Sequence, residues 1–278
     1  MAAGEEIKPE FVEKAWRTYL TTGKHTDFIS GPWYTSSRFR PLYRRLPTNP
    51  RCRLCYYPFE GVGGVVMRHV FGITPSKLNP HLCNLCEQFA EKYQGGAEIE
   101  LSILFADVRG STTLAEKTNP TEFSALINRF YNAVTKVLFD TGAMVEKLVG
   151  DAVTAFYAPG FAGPNHPRIA VEAARAILKA TGHHLPSGPW IPVGTGVHTG
   201  LAYVGSMNAD SGVTGIAVLG DTANTGARLA SLARAGEVLF SQATAAAARW
   251  DTTGLEARRL NLKGRRDPVE AWVEHPSN

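Results

Sequence analysis

Residues Ile99–Ala106, IELSILFA, limit what this 278-residue chain can fold into more than any other stretch. The run alternates at first and then turns wholly apolar, as a strand does when it is buried on both faces. It cannot span a bilayer, which takes about 20 apolar residues. No other apolar run in the chain reaches that length, so no membrane partner is expected.

The segments around it follow a regular rhythm. Asn119-Pro120-Thr121-Glu122 is a strong helix start, with Asn as cap, Pro at the first position and Glu at the third. The helix it opens carries Phe123, Leu126, Ile127, Phe130, Val134 and Leu138 on one face and ends at Gly142. Ala143–Val149 and Ala152–Ala158 are expected as strands joined by a tight turn at Gly150-Asp151. A helix is expected over Ala170–Thr181, and a second strand pair, Pro192–His198 with Leu201–Ser206, around Thr199-Gly200. Gly215–Leu219 reads as a strand, Asp221–Ala233 as a helix and Val238–Ser241 as a short strand before an Ala-rich helical piece. Leu255–Leu260 and Val269–Val273 close the chain. This order predicts an α+β fold, a ferredoxin-like βαββαβ core with additions.

The region before Gln94-Gly95-Gly96 differs in charge and content. Residues 1–96 hold 13 Lys and Arg against 8 Asp and Glu, net +5; residues 97–278 hold 16 against 17, net −1. Arg38, Arg40, Arg44, Arg45, Arg51 and Arg53 fall in a stretch without acids between Asp27 and Glu60. Three parts follow: 1–50, an N-terminal helix (Phe11, Ala15, Tyr19 and Leu20 at helical spacing) and an Arg-rich segment; 51–96, a cysteine module; and 97–278. Gly61-Val62-Gly63-Gly64 and Asn79-Pro80 read as loops within the module. With 44% hydrophobic and 19% charged residues the chain is not of the disordered class. The acidic first residues lack an apolar core, so no secretory signal is expected and the expected location is the cytoplasm.

All four cysteines fall in two CxxC pairs, Cys52/Cys55 and Cys83/Cys86, with 27 residues between the pairs. Two such knuckles supply four thiolates in the manner of one structural zinc, with no open position for substrate. Four thiolates also suit an iron–sulfur cluster, the second reading; reduced core cysteines are the third. Asp107 ends the buried strand and Asp151 lies in the hairpin turn. A charge there is costly unless solvated or paired, and two carboxylates from adjacent strands suit a hard divalent cation. Gly110-Ser111-Thr112 follows where a helix should start, with free N–H groups suited to a phosphate. An ordinary turn aspartate and an ordinary helix cap explain the same residues without a ligand.

FADVRGST, VEKLVGDAVTAFY, GVHTGLAYVGS and LGDTANTGARLAS stand in this order and resemble the class III adenylate/guanylate (nucleotidyl) cyclases of bacterial type, a resemblance that covers residues 98–274. RCRLC, PFEGVGG and NPHLCNLC are similar to N-terminal extensions of some members. The resemblance implies a lyase that converts a nucleoside triphosphate into a 3′,5′-cyclic nucleotide and pyrophosphate, for second-messenger signalling. It implies two Mg2+ or Mn2+ ions per site on Asp107, Asp151 and the Val108 carbonyl, with Gly110, Ser111 and Thr112 beside the phosphates. Asn224 and Arg228 match the transition-state pair, Lys263 the phosphate lysine and Lys147 the base-recognising lysine. In homodimeric members the aspartates and the Asn/Arg pair come from different chains, so a homodimer is expected.

Ala217 departs from the family pattern, standing where Asp or Thr accepts the adenine amino group, and Val213 stands where an arginine touches phosphate. ATP is the first expectation because Lys147 is present. The alternatives are GTP or a pyrimidine triphosphate, or a pseudo-cyclase that binds nucleotide without turnover. A nucleic-acid partner for the Arg-rich segment with Trp33, Tyr34 and Tyr43 is not favoured, since such linkers commonly only solvate.

Overall fold

The computed structural model describes residues 8–23, 50–52, 55, 57–76, 82–208, 214–261 and 267–276. The Arg-rich segment up to Arg45, Arg53, Trp33, Tyr34, Tyr43, Asn79-Pro80, Val213 and Lys263 lie outside the described residues. The chain divides into two compact units, Met1–Ile99 with Tyr203–Leu219, and Glu100–Ala202 with Gly220–Asn278.

In the first unit, helix α1 (Pro9–Thr22) buries Val12, Ala15, Trp16, Tyr19 and Leu20. Phe11, expected on that face, is exposed instead; the apolar stripe runs through Val12 and Trp16, one position round the helix. Trp16 donates its indole N–H to the Tyr93 carbonyl at 2.7 Å. Phe89, on α3 (Asn84–Lys92), packs against the rings of Trp16, Tyr19 and Tyr93. Gly61-Val62-Gly63-Gly64 is not a loop: it opens helix α2 (Gly61–Phe71). The glycine that breaks the sequence signal serves packing, because a Cβ on Gly64 would collide with the Phe59 backbone.

The second unit is built on the expected core. Strand β1 (Gly95–Val108) enters it at Glu100. Helices α4 (Ser111–Lys117) and α5 (Pro120–Thr141) follow, then β2 (Met144–Val149) and β3 (Ala152–Tyr157). Next come α6 (Pro159–Ala162), α7 (His166–Ala180), β4 (Val193–Asn208), β5 (Thr214–Leu219) and α8 (Asp221–Leu232). The last elements are β6 (Val238–Ser241), α9 (Gln242–Ala248), β7 (Glu256–Leu260) and β8 (Val269–Glu274). The strand order β2-β3-β1-β4-β6-β8-β7 contains the split βαββαβ arrangement, with β6, β8 and β7 added beyond β4. Asn119 caps α5 by accepting the Glu122 N–H, and Phe130, Val134 and Leu138 are fully buried beneath the helix.

Two expected bounds change. Helix α7 starts at His166, four residues early, because Pro167 fits the first turn, where no N–H is needed. Thr199-Gly200 is no turn, and β4 runs straight through it. Gly200 leaves room for the Thr222 side chain, which donates to the Leu201 carbonyl at 2.6 Å. The β4–β5 pairing, Tyr203 opposite Leu219 to Asn208 opposite Thr214, belongs to the first unit.

A buried ion pair braces the far edge of this sheet. Arg258 on β7 donates both Nη groups to the carboxylate of Glu237, each at 2.7 Å, and the Arg234 N–H adds a third bond. Arg258 holds the Glu237 carboxyl below the ordinary glutamate range. A depressed carboxylate stabilises fully above its unfolded value and loses that contribution as the pH falls through the folded one. Arg258→Met is therefore expected to destabilise the chain at neutral pH by about 3 kcal/mol, because a buried carboxylate loses its bidentate charge partner and keeps only the Arg234 N–H. It also lessens this acid-side slope, which urea unfolding between neutral pH and the onset of acid unfolding measures.

Candidate functional site

Sheet register brings Asp107 and Asp151 together. Asp107 lies opposite Ala152, the first residue of β3, so Asp151 stands one step beyond it in the turn. Gly150 takes the left-handed conformation the turn requires, φ 60. The Val108 N–H donates to the Asp151 carbonyl at 3.1 Å, which ties strand to turn by backbone alone. Burial raises the Asp107 carboxyl; Arg109 opposes that shift, and the Asp151 charge adds to it. Two partly exposed carboxylates this close, with Asp107 raised by burial and by the Asp151 charge, are a donor set that fits a hard divalent cation.

Two residues that spacing did not single out stand beside the pair. Arg109, two residues past Asp107 and just beyond the end of β1, pairs with its carboxylate. Tyr131 of α5 donates its hydroxyl to the Gly150 carbonyl at 2.6 Å, and burial together with the Asp151 charge raises its phenol. The first could have been read from the spacing; the second has no sequence signal, since only the packing of α5 carries it to the turn.

Gly110 is left-handed, φ 68, and opens the short helix α4, whose start has no side-chain cap. Ser111 is half-buried and Thr112 exposed at that end. Asn224 is exposed and Arg228 half-buried on one face of α8, opposite the buried Thr225, Gly226, Leu229 and Ala230. The helix is seated so closely that a Cβ on Gly196 of β4 would collide with the backbone of Ala230. No hydrogen bond or ion pair joins Asn224 or Arg228 to the aspartates among the described residues. Lys147 on β2 is exposed and pairs with Glu146 at 3.2 Å. Ala217, half-buried on β5 in the first unit, lies opposite Gly205.

The four cysteines converge in the first unit. Their sulfurs all lie within 4.8 Å of one another and all four residues are buried. Each pair has its own backbone clasp: the Cys52 N–H reaches the Tyr57 carbonyl at 2.9 Å, and the Ser76 N–H reaches the Leu82 carbonyl at 2.8 Å. The Cys83 N–H points at the Cys52 sulfur at 3.3 Å. Burial and its neighbours push the Cys55 thiol well up, whereas Cys52, despite burial, is drawn down by hydrogen bonds from the other three. Four buried sulfurs this close, one already accepting an amide, fit a tetrahedral metal ion.

One further polar cluster has a different character. The Ser102 hydroxyl contacts His166 Nδ1 at 3.0 Å and the Thr199 hydroxyl at 2.7 Å. All three residues are buried, and burial lowers His166 to about 4. A neutral, enclosed imidazole that knits helix to sheet is a structural group, not a nucleophile's base.

Comparison with known proteins places this arrangement. Residues 96–275 match the family model of the adenylate and guanylate cyclase catalytic domain. An adenylate cyclase of Anabaena cylindrica is 26% identical over 167 residues, 56% of this chain and 32% of its own length. An uncharacterized protein of Mycobacterium tuberculosis is 33% identical over 184 residues, 63% of this chain and 32% of its own. The chain thus spans about a third of the length of these curated relatives. Among solved structures, the adenylyl cyclase CyaB from P. aeruginosa is similar with TM-score 0.56 and 26% identity, covering 64% of this chain and 94% of its own. The guanylate cyclase domain of RhGC from Catenaria anguillulae, solved with GTP, is similar in fold with TM-score 0.57 at 20% identity, covering 64% and 98%. The matched span runs from β1 to the end of β8, and the chain belongs to the adenylate and guanylate cyclase catalytic domain family.

Proposed function

We propose that the chain is a nucleotidyl cyclase that converts a nucleoside triphosphate, ATP first, to its 3′,5′-cyclic product and pyrophosphate at a homodimer interface. The observation that carries this reading is the Asp107–Asp151 pair, fixed by sheet register, with the Asp107 carboxyl raised by burial and by the Asp151 charge. In this reading Asp107, Asp151 and the Val108 carbonyl hold two Mg2+ or Mn2+ ions. When bound, such ions neutralise the triphosphate and acidify the ribose 3′-hydroxyl. The 3′-oxygen bonds to the α-phosphorus as the bond from that phosphorus to the bridging oxygen breaks; pyrophosphate leaves and the hydroxyl proton passes to water. Asn224 of the second copy orients the ribose, and Arg228 meets the charge that grows on the transferring phosphate. Gly110, Ser111, Thr112 and Lys263 attend the phosphates. Lys147 recognises the base.

The exposure of Asn224 on a helix face turned away from its own unit's core supports the two-chain site. Asp107→Ala and Arg228→Ala are each expected to be inactive, and an equal mixture to regain about a quarter of wild-type activity, since half the dimers then carry one intact site of two. Activity per chain should also fall on dilution below the dimer dissociation constant. A mixture as inactive as its parts overturns the shared site.

Base choice rests on Lys147. A second reading, GTP or a pyrimidine triphosphate, is favoured by Ala217, whose side chain accepts no hydrogen bond. Incubation with ATP, GTP, CTP and UTP plus Mn2+, with cyclic products resolved chromatographically, decides among them. No cyclic product from any would sink the enzyme reading. The four cysteines are proposed to hold one structural zinc.

A further inference from the structure

We propose that Arg109 is a built-in counter-cation, seated on Asp107 until a divalent metal ion displaces it and held in reserve at the C-terminal end of α8. The proposal rests on the reading that Asp107 is a metal ligand, and it concerns what occupies that carboxylate beforehand.

Arg109 is anchored at every level. Its backbone N–H donates to the Pro192 carbonyl at 2.8 Å. Its Nε reaches the Asp107 carbonyl at 3.3 Å, Nη2 pairs with Asp107 Oδ2, and Nη1 donates to the Ser231 carbonyl at 3.2 Å. The two charged side chains are 21% and 30% exposed, whereas the helix-surface pairs Arg17–Glu13, Lys136–Asp140 and Arg168–Glu172 are all 49% or more. The Arg109 pair is therefore shielded where those are washed by solvent.

The same geometry explains why the arginine is needed and why it can let go. Without it, Asp107 keeps the cost of burial and the repulsion of Asp151. A guanidinium relieves both, but it takes the oxygen that a metal ion needs. Its second anchor lies in the last turn of α8, which carries no basic residue of its own. Cations are favoured there by the helix dipole, so Arg109, in the turn after β1, supplies what the helix lacks. Ser231, which accepts from Arg109, also donates its hydroxyl to the Arg228 carbonyl at 2.8 Å. Loading a cation on Asp107 would shift Arg109 wholly to the helix that bears Asn224 and Arg228.

The test is Mn2+ binding to the nucleotide-free full chain, followed by the paramagnetic resonance signal of free Mn2+. Arg109→Gln is expected to tighten Mn2+ about tenfold, through loss of a shielded competing charge. Arg109→Lys restores the charge and should return the affinity to within about threefold of wild type. In chelator the Gln variant should unfold at a lower temperature than wild type, and Mn2+ should recover more of the loss. Equal or weaker Mn2+ binding by Arg109→Gln overturns the proposal. Asp107→Asn separates the two readings: a Mn2+ site that it removes but Arg109→Gln leaves unchanged sinks this inference alone, and no Asp107-dependent site sinks the metal reading and this inference with it.

Discussion

Asp107→Asn is expected to lower turnover by at least about a thousandfold while leaving the fold intact, because it deletes a charge that acts on the developing transition state. Asparagine keeps the shape of the side chain and its place opposite Ala152. The folded protein gives up little, since burial and Asp151 already work against the charge. Loss of the Arg109 pair, which remains partly exposed, should cost no more than about 1 kcal/mol. Urea unfolding with an unchanged slope and a midpoint near wild type establishes the second half of the expectation. Turnover within tenfold of wild type would mean that the carboxylate is no cation ligand, whatever else it does.

Cys86→Ser is expected to have its effect in the other unit. Cys86 is buried in the first turn of α3, and Phe89 of that helix packs on Trp16, Tyr19 and Tyr93. In zinc modules the binding free energy, on the order of 10 kcal/mol, is folding free energy. Metal analysis should find one zinc per wild-type chain and far less in the variant. The Trp16 emission should shift to longer wavelength, and proteolysis should open the region before Ile99 first. Strong visible absorption from the pure protein would replace zinc with an iron–sulfur cluster. Unchanged emission and no bound metal would reduce the cluster to ordinary core cysteines.

Much of this was legible in the sequence for physical reasons that were local. The Asn119-Pro120 cap and the apolar stripe of α5 are written within one helix, and the Gly150-Asp151 turn within one hairpin. The cysteines were legible because metal chemistry fixes the CxxC spacing. Local spacing misleads where a residue serves a distant neighbour. Gly200 reads as a turn, yet it makes room for Thr222; the Gly61–Gly64 run reads as a loop, yet Gly64 admits the backbone of Phe59. Local rules cannot separate a glycine that bends the chain from one that lets another segment approach. Tyr131 was invisible for the same reason. Arg109 is readable only from its place two residues past Asp107, just beyond the end of β1.

The way the chain changes units bears on how such a protein can be recombined. The crossings fall inside strands, β1 between Ile99 and Glu100 and β4 between Ala202 and Tyr203. Within the first unit, the Gly95 N–H donates to Ser206 at 3.2 Å, and Gly96 lies hard against Val204 and Gly205. A cut near residue 97 would therefore sever a strand and strip residues 203–219 of the segment they fold with. A chimaera that exchanges the cysteine-bearing half for another input must carry that distant hairpin with it, so inheritance of the two halves is linked although more than a hundred residues separate them.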